Sequence, residues 1–421
     1  MRYIANWYVQ KIVSGSFYND FHIMTKEIEQ EIEKIQQVFG DTIEKDFLNY
    51  KGNRISFEDV DSLISGGYYI KISIHNNNLY YSSDSSIKNK TKQLFVHLES
   101  ILKNADLHGL KFPNVSFIYS LDTVGMINEP DKIKKSEVPF FVLCNSNECN
   151  LGIRVPNMYF ENVFLNQRKM VLKRNIASFF KFRNRINKIY YRGGASGRGS
   201  LPRIKLASTF ETNDNFDVGL VSKPRISEDI TQSLIEQYPI KVKKHLPNLT
   251  NTFYKFSIHM PGSSVPKGYS FGLQELLNWG CCVLFWDETC YEWYYDTLLR
   301  EGVVYKTKLE DIESLSLRLQ KDTETAEKKA KASQEFAQNY FSKDALTAFW
   351  YLTMKKYSSI YLQGDQYYQE TPNFKPSNLD FDYIHLKFSL FLLKCRLKPL
   401  VYLLNGIVIN INNFSRKLKG R

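Results

Sequence analysis

The second half of the chain alternates short apolar stretches with helical stretches, and this alternation restricts the fold more than any other sequence feature. Apolar strands are predicted at residues 188–191, 216–221, 254–260, 281–286 and 302–306. Helical segments are predicted at residues 227–237 and 270–279 between them, and at 323–341 and 343–362 after them. Strands that alternate with helices form parallel sheets with helices on their faces. We therefore predict an α/β fold for this half.

The first half has a similar but less regular pattern. Residues 68–74 and 79–82 are predicted as strands on either side of the turn Asn76 to Asn78. Further strands are predicted at 115–121 and 139–144, with a helix at 88–103, which suggests a largely parallel sheet. Ligand sites in such sheets lie beyond the carboxyl ends of strands, and Asp122 follows the strand 115–121 directly.

The length favours two domains, because 421 residues with 43% hydrophobic content exceed the usual size of one domain. We predict an N-terminal α/β domain at 1–185 and a second α/β domain at 186–345. A closing helix and linker are expected at 346–384, followed by a basic amphipathic tail at 385–421.

The net charge of +12 is concentrated in that tail. Residues 385–421 contain eight basic residues and no acidic one, so residues 1–384 carry only +4. A charge excess confined to a tail argues against a nucleic-acid groove, and we expect no nucleic-acid partner. Apolar residues alternate with the basic ones, which favours binding to an anionic membrane surface. The alternative is a terminal helix that packs on the body with a solvated basic face.

Cysteine usage and the N-terminus both point to a reducing compartment. None of the six cysteines forms a Cys-x-x-Cys pair or has histidines at zinc spacing, so we expect no structural metal. Residues 1–8 lack the apolar core of a secretory signal. We expect a cytoplasmic protein that is peripheral on the inner face of the cell membrane.

A glycine-rich basic segment, Arg192 to Ser200, follows one predicted strand and precedes a predicted helix at 203–207. Glycines let backbone N–H groups approach an anion, and arginines provide planar, permanently charged donors for phosphate. The segment therefore has the chemistry of a diphosphate site, although it matches neither a Walker loop nor the dinucleotide fingerprint. Its spacing alone is equally compatible with a flexible basic surface loop.

Several sequence blocks occur in a fixed order at residues 190–197 with 203–206, 254–259 with 276–284, and 293–298, with 139–144 and 155–157 upstream. In this order they resemble glycosyltransferase family 90, which includes capsule-associated, lipopolysaccharide-modifying and protein O-glucosylating or O-xylosylating enzymes. The resemblance covers roughly residues 65–360, and its specificity lies in the order and spacing of the blocks.

The resemblance implies a GT-B-like fold, with two Rossmann-like domains facing a cleft, and sugar transfer with inversion from a UDP-sugar. It places Asp122 at the position of the family's catalytic base, which takes the proton of the acceptor hydroxyl. By itself, an aspartate at this place is more typical of a turn at a strand end.

The predicted donor site lies in the second half. Charge that builds on the leaving diphosphate would be stabilised by basic side chains and backbone N–H groups. Glu275 stands where many GT-B enzymes carry a carboxylate that binds ribose hydroxyls, and Gly272 stands where protein-modifying relatives have an arginine. The predicted donor-binding residues are Arg192, Gly193, Gly194, Ser196, Arg198, Arg203, Lys267, Ser270 and Glu275.

Two Asp-x-Asp strings occur, Asp59 to Asp61 and Asp380 to Asp382, but neither ends an apolar strand. We therefore predict a reaction without a metal or other cofactor.

The leading hypothesis is transfer to a cell-surface glycan or glycolipid acceptor, such as lipopolysaccharide or capsule. The alternatives are a protein O-glucosyl- or xylosyltransferase and, from another class, a basic protein that binds nucleic acid or lipid.

Overall fold

Two five-stranded β-sheets form the framework of the computed structural model. It describes residues 16–63, 69–85, 89–121, 138–146, 152–195, 200–224, 231–262, 270, 272–287, 290–362, 364–372, 380–395 and 401, with the side chains of 16–26, 381 and 382 excepted. The strands are β1 Tyr69–His75, β2 Asn78–Tyr81, β3 Val115–Ser120, β4 Phe140–Val142, β5 Asn145–Ser146, β6 Ile153–Arg154, β7 Ile186–Gly193, β8 Phe216–Leu220, β9 Tyr254–His259, β10 Cys282–Trp286, β11 Cys290–Tyr291 and β12 Tyr305–Thr307.

Helices cover both halves of the chain. They are α1 Ser16–Phe47, α2 Phe57–Ser62, α3 Asn89–Leu107, α4 Val163–Ser178, α5 Leu201–Thr209, α6 Gln232–Gln237, α7 Gly272–Leu276, α8 Tyr295–Arg300, α9 Ile312–Lys321, α10 Thr323–Tyr340, α11 Lys343–Ser358 and α12 Phe381–Lys394. Side-chain caps begin several of them: Asn162 accepts backbone hydrogen bonds from Phe164 and Leu165, and Ser342 accepts one from Ala345.

The first sheet has the order β2-β1-β3-β4-β6 and is mixed. Strand β1 runs antiparallel to both β2 and β3, whereas β3, β4 and β6 are parallel. The prediction of a largely parallel first sheet was therefore wrong for β1 and β2. The predicted turn at Asn76 and Asn77, both with positive φ, makes a hairpin. The helix α3 then returns the chain to the far side of β1, where β3 pairs antiparallel to it.

The second sheet, in the order β12-β10-β9-β7-β8, is parallel throughout, as the alternation of strands and helices predicts. Alternate residues of its strands face a hydrophobic core that includes Ile189, Val218, Phe256 and Leu284. Helices α5, α9 and α10 supply the other side of this core with Ile204, Leu315 and Ala330. Mixed α/β architecture with parallel strands is confirmed.

A second and larger core joins residues from both halves. It contains Phe117 and Phe141 of the first sheet together with Val283 and Phe285 of β10. Helix α11 packs against α1, α3 and α4, although it follows the second sheet in the chain. Its Trp350 is fully buried and its indole N–H donates to His97 of α3 at 3.2 Å. The C-terminal helices thus return to the first half.

The predicted linker and tail are partly ordered against the body. Leu362 N donates to the carbonyl oxygen of Ile55 at 2.6 Å, and Tyr81 N donates to that of Glu370 at 2.9 Å. Helix α12 begins at Phe381, within the predicted linker, and packs on α4. The rest of the tail, apart from Val401, lies outside the described residues. Among the helices that the structure describes, none is long and apolar enough to cross a membrane.

Candidate active site

The carboxyl ends of β7, β8 and β9 meet at one edge of the second sheet, because these strands are parallel. The segments that follow them are joined by hydrogen bonds. Val221 N donates to the carbonyl oxygen of Gly193 at 2.9 Å, and Ala195 N donates to Ser222 Oγ at 3.3 Å. The first part of the glycine-rich segment is therefore held in place by the chain after β8.

Gly193 and Gly194 differ in the space that is available for a side chain. A Cβ on Gly193 would overlap the hydroxyl of Tyr191, a buried residue in the core of the second sheet. A Cβ on Gly194 would meet only Ser222 Oγ, at 3.7 Å, which is an ordinary contact. Packing therefore requires a glycine at position 193, whereas position 194 has room for a Cβ.

Arg203, on α5, links two of the segments at this edge. Its Nε donates to the carbonyl oxygen of Pro261 at 2.5 Å and its Nη1 to that of Gly194 at 3.0 Å. Pro261 follows β9 and Gly194 follows β7, so the guanidinium lies across the ends of both strands. A positive charge is thereby fixed at the edge where the sequence predicts the diphosphate.

The guanidinium of Arg192 is bound by Asp217, which lies on the neighbouring strand β8. Its Nη2 contacts Asp217 Oδ1 at 2.5 Å, and its Nη1 donates to the carbonyl oxygen of Asp217 at 2.7 Å. The side chain is 9% exposed and lies 5.3 Å from the ring centroid of Tyr190. Burial raises the pKa of Asp217, but hydrogen bonds from Tyr254 and Arg192 outweigh this effect and lower it. Asp217 therefore neutralises the charge of Arg192.

Ser270 and Glu275 lie just before and within α7, and Glu275 contacts the first half. Ser270 Oγ accepts a hydrogen bond from Gly272 N at 3.3 Å at the start of α7. Glu275 Oε2 accepts a hydrogen bond from Lys173 Nζ, on α4 of the first half. Lys173 is buried and lies 5.9 Å from the ring centroid of Trp279. The glutamate predicted to bind ribose is thus held by a buried lysine.

Gly272 lies over the end of β9. A Cβ built on it would be 3.9 Å from His259 Nδ1 and 3.3 Å from Ser270 Oγ. The side chain at this position would therefore begin beside His259, at the carboxyl edge of the second sheet. This is the place where protein-modifying members of the resembled family carry an arginine.

Four predicted site residues lie outside the described residues: Asp122, Ser196, Arg198 and Lys267. The residue before Asp122 is Leu121, which is buried at the end of β3. The chain therefore reaches position 122 from the carboxyl edge of the first sheet.

The carboxyl edges of the two sheets are brought together by short connections. Strand β5 follows β4 after two residues, and β11 follows β10 after three. β5 and β11 pair antiparallel, with Ser146 opposite Cys290. A second contact joins the two halves just after β11: the Nδ2 of Asn157 donates to Glu292 Oε2 at 2.7 Å. Strand β4 of the first sheet and strand β10 of the second are therefore joined beyond their carboxyl ends by the pairing of β5 with β11.

Glu292 is a buried carboxylate that sequence reasoning missed. Tyr294 donates to its Oε1 at 3.2 Å, in addition to the bond from Asn157. Burial raises the pKa of the nearby Tyr119 well above its ordinary value, and the charge of Glu292 adds to this shift. Asn157 and Trp293 to Tyr295 belong to the sequence blocks that resemble the family. Glu292 lies beside one of these blocks, but it belongs to no motif with a recognisable spacing, so the sequence did not identify it.

Both Asp-x-Asp strings contain an aspartate that caps a helix. Asp59 Oδ2 accepts a hydrogen bond from Ser56 N at 2.7 Å in a capping box at the start of α2. Asp380 accepts one from Tyr383 N at the start of α12 and is paired with Lys169 at 2.7 Å. In the part of the chain that the structure describes, no group of three or more His, Cys, Asp or Glu residues could hold a metal ion.

Comparison with known proteins gives a clear family match. The family model described as glycosyl transferase family 90 matches residues 33–374, which is most of the chain. No curated protein matches this chain.

Among solved structures, the chain is similar to one titled "Crystal structure of GtfA/B complex", with 13% sequence identity and a TM-score of 0.28. That similarity covers 41% of this chain and 36% of the other, so this chain spans about a third of that structure's chain. A similarity of this size carries no argument about fold or function.

Proposed function

The chain belongs to glycosyltransferase family 90, and on that basis we propose that it transfers a sugar from a UDP-sugar to a cell-surface glycan or glycolipid acceptor, with inversion at the anomeric carbon. The single observation that carries the proposal is the match over residues 33–374. We further propose a GT-B-like arrangement, with the acceptor on the side of the first sheet and the donor on the side of the second.

The donor side is supported by the edge of the second sheet. Arg203 is held there by the carbonyl oxygens of Gly194 and Pro261. A cation held at a fixed position stabilises charge that develops on a leaving group without reorganising during the reaction. We propose that Arg203 and the backbone at Gly194 contact the diphosphate, together with Ser196, Arg198, Lys267 and Ser270. Arg192, already paired with Asp217, positions the start of the segment.

Glu275 is proposed to accept hydrogen bonds from the ribose hydroxyls. Only its Oε2 is engaged by Lys173, and its side chain is 26% exposed, so the carboxylate is held in one position and remains accessible. A carboxylate that is already ion-paired loses less conformational freedom when it binds a hydroxyl. Lys173 therefore acts as a positioning residue for Glu275.

Asp122 is proposed as the catalytic base. Its place in the sequence two residues after the end of β3 and the pairing of β5 with β11 between the two sheets support this role, because attack must come from the side opposite the departing nucleotide. In this step the acceptor oxygen bonds to the anomeric carbon while the bond to the UDP oxygen breaks. The hydroxyl proton passes to Asp122, and the diphosphate leaves with the bonding electrons.

The basic C-terminal segment supports the proposed acceptor and the proposed location of the enzyme. We propose that residues 385–421, with eight basic residues and no acidic one, hold the enzyme on the inner, anionic face of the cell membrane. Lipid-linked glycan acceptors would be within reach of an enzyme held there.

The proposal is tested by donor binding and by transfer. A panel of nucleotide sugars, including UDP-glucose, UDP-galactose and UDP-xylose with the matching GDP-sugars as controls, is screened for a thermal shift. At least one UDP-sugar is expected to raise the melting temperature, since a ligand at 100 times its Kd stabilises by about 2.7 kcal/mol. Transfer to a glycolipid fraction should then persist in excess chelator, as expected for the proposed reaction without a metal. Equal shifts with all nucleotides and no transfer would contradict the proposal.

A further inference from the structure

Helix α12, Phe381–Lys394, has two apolar faces, and within the described part of the chain only one of them is buried against the body. Leu386, Leu390 and Leu393 are buried, on the helix that packs against α4. Ile384, Phe388 and Phe391 recur at the same helical spacing and are 48%, 48% and 57% exposed. At about 100° per residue, the two sets lie on opposite sides of the helix. The second set forms what we call the outer stripe: Ile384, Phe388 and Phe391.

The outer stripe differs from the scattered apolar residues of an ordinary protein surface. The other large hydrophobic residues that are equally exposed among the described side chains lie singly on different elements, such as Leu48, Leu107 and Leu317. Phe388 and Phe391 lie with their rings stacked, their centroids 6.3 Å apart, and no other phenylalanine is as exposed in the described part of the chain. Contiguous exposed apolar surface of this kind marks an interaction site.

Basic residues flank the outer stripe. Lys387 and Lys394 are exposed on one side of it, and the helical angle places both within about 80° of Phe391. In the sequence, Arg396 and Lys398 follow directly, and no acidic residue occurs after Asp382. A helix with a bulky apolar face next to lysines is the type that lies in the interface plane of an anionic bilayer.

A bilayer suits this chemistry better than a second copy of the chain. Two outer stripes packed against each other would bring Lys387 and Lys394 close to the same residues of the partner, and like charges repel. At a bilayer surface the same lysines are attracted to acidic headgroups, while the phenylalanines enter the acyl boundary.

We propose that α12 is the element that enters the membrane surface, with the outer stripe in an anionic bilayer and Lys387 and Lys394 at its headgroups. The inference rests on the proposed membrane association of residues 385–421 and deepens it by naming the face that makes contact. Since α12 packs on α4, and α4 carries the Lys173 that holds Glu275, this contact fixes the orientation of the body on the membrane.

The test uses the full-length chain and sedimentation with phosphatidylcholine vesicles that contain or lack phosphatidylglycerol. Binding to the anionic vesicles is expected for the wild type, and about ten-fold weaker binding for Phe388→Ser/Phe391→Ser. The matched control, Leu48→Ser/Leu107→Ser, changes two equally exposed leucines and should bind as the wild type does. Lys387→Gln/Lys394→Gln should reduce binding to anionic vesicles and make it less dependent on salt.

A second readout does not depend on the stability of the serine variants. Phe388→Trp should show blue-shifted emission with anionic vesicles and quenching by brominated lipids, whereas Leu48→Trp should show neither. Unshifted emission from the Phe388→Trp variant, or wild-type binding by Phe388→Ser/Phe391→Ser, would overturn the inference. If binding then disappears on deletion of residues 402–421, the tail alone binds the membrane and the broader proposal survives. A dimer that the serine variant dissociates would instead show that a second copy covers the stripe.

Discussion

Lys173 of α4 is paired with Glu275 of α7, so a buried lysine of the first half holds a carboxylate of the second half. The two are unequally exposed, with Lys173 2% and Glu275 26% accessible. Glu275 can be hydrated if its partner is lost, whereas Lys173 is enclosed, with its Nζ 5.9 Å from the centroid of the Trp279 ring.

This difference in exposure predicts that removing Glu275 lowers the free energy of unfolding more than removing Lys173 does. Glu275→Gln leaves a buried charge unpaired, which typically costs about 3–5 kcal/mol. Lys173→Met removes the buried charge itself and should cost much less. Urea unfolding of both variants and of Lys173→Met/Glu275→Gln measures the difference. Equal losses in the two single variants would show that the ion pair is not effectively buried.

The proposed ribose contact can be separated from this stability effect. Hydrogen bonds to charged groups contribute about 1.5–3 kcal/mol, so UDP-sugar should bind roughly ten- to one-hundred-fold more tightly than its 2′,3′-dideoxyribose analogue. In Lys173→Met/Glu275→Gln, the two ligands should bind alike. Glu301→Gln, an exposed glutamate elsewhere, is the control and should keep the preference. Isothermal titration calorimetry with both ligands measures the two affinities. If the variant without Glu275 still prefers UDP-sugar over the dideoxyribose analogue, Glu275 does not bind the ribose hydroxyls.

Asp122→Asn should abolish transfer while leaving donor binding nearly unchanged, because the amide cannot take the acceptor proton. General-base catalysis typically contributes about 10²–10⁴-fold, and kcat should fall by at least that factor. Asp287→Asn is the matched control, since Asp287 also follows a parallel strand but pairs with Lys306. Turnover close to the wild type in Asp122→Asn would refute the role of this residue.

Arg203→Ala and Arg192→Ala should affect different properties. Loss of Arg203 removes the cation between Gly194 and Pro261, and UDP binding should weaken by roughly ten-fold or more. Loss of Arg192 removes the cation that pairs with Asp217 inside the sheet and leaves Tyr254 and Lys243 beside this carboxylate, so the melting temperature should fall more than the affinity for UDP does. Arg183→Ala, at an exposed position, controls for net charge. Similar affinities for UDP in the Arg203→Ala and Arg183→Ala variants would remove Arg203 from the donor site.

The buried imidazole of His97 predicts acid sensitivity. Its Nδ1 lies 3.0 Å from the carbonyl oxygen of Glu161, and its Nε2 accepts the hydrogen bond from Trp350, which fits a neutral ring. Burial lowers the pKa of His97 from 6.5 to about 4. As the pH falls from about 6.5 to 4, the unfolded chain gains a proton that the folded protein excludes. This contribution to stability is fully present above pH 6.5 and decreases by up to about 3 kcal/mol by pH 4.

The measurement is urea unfolding between pH 7 and pH 4.5 for the wild type and for His97→Gln, which has no imidazole to titrate. The variant should be less stable at pH 7, but its stability should fall less steeply on acidification. The same pH dependence in both proteins would assign the acid sensitivity to other groups.

Local sequence patterns predicted the elements that depend on local chemistry. The strand-helix alternation correctly predicted the parallel second sheet, because period and burial are both visible in a short window of sequence. The helix after the glycine-rich segment was also confirmed, as α5. Short elements were missed: β5, β6 and β11 have two residues each, too few for any periodicity. The antiparallel course of β1 was missed because a strand's residues do not specify its direction beside a distant neighbour.

Sequence patterns alone were sufficient to identify the family, the α/β class and the position of a basic glycine-rich segment at a strand end. The partner of each charged side chain became known from the three-dimensional arrangement. Arg192 and Arg203 are equivalent by composition, yet Asp217, 25 residues away, neutralises the first, while carbonyl oxygens hold the second at the sheet edge. Glu275 lies 102 residues from Lys173 in the chain. The periodicity of a sequence records which residues are buried, whereas the pairing of charges over such separations depends on how sheets and helices are assembled.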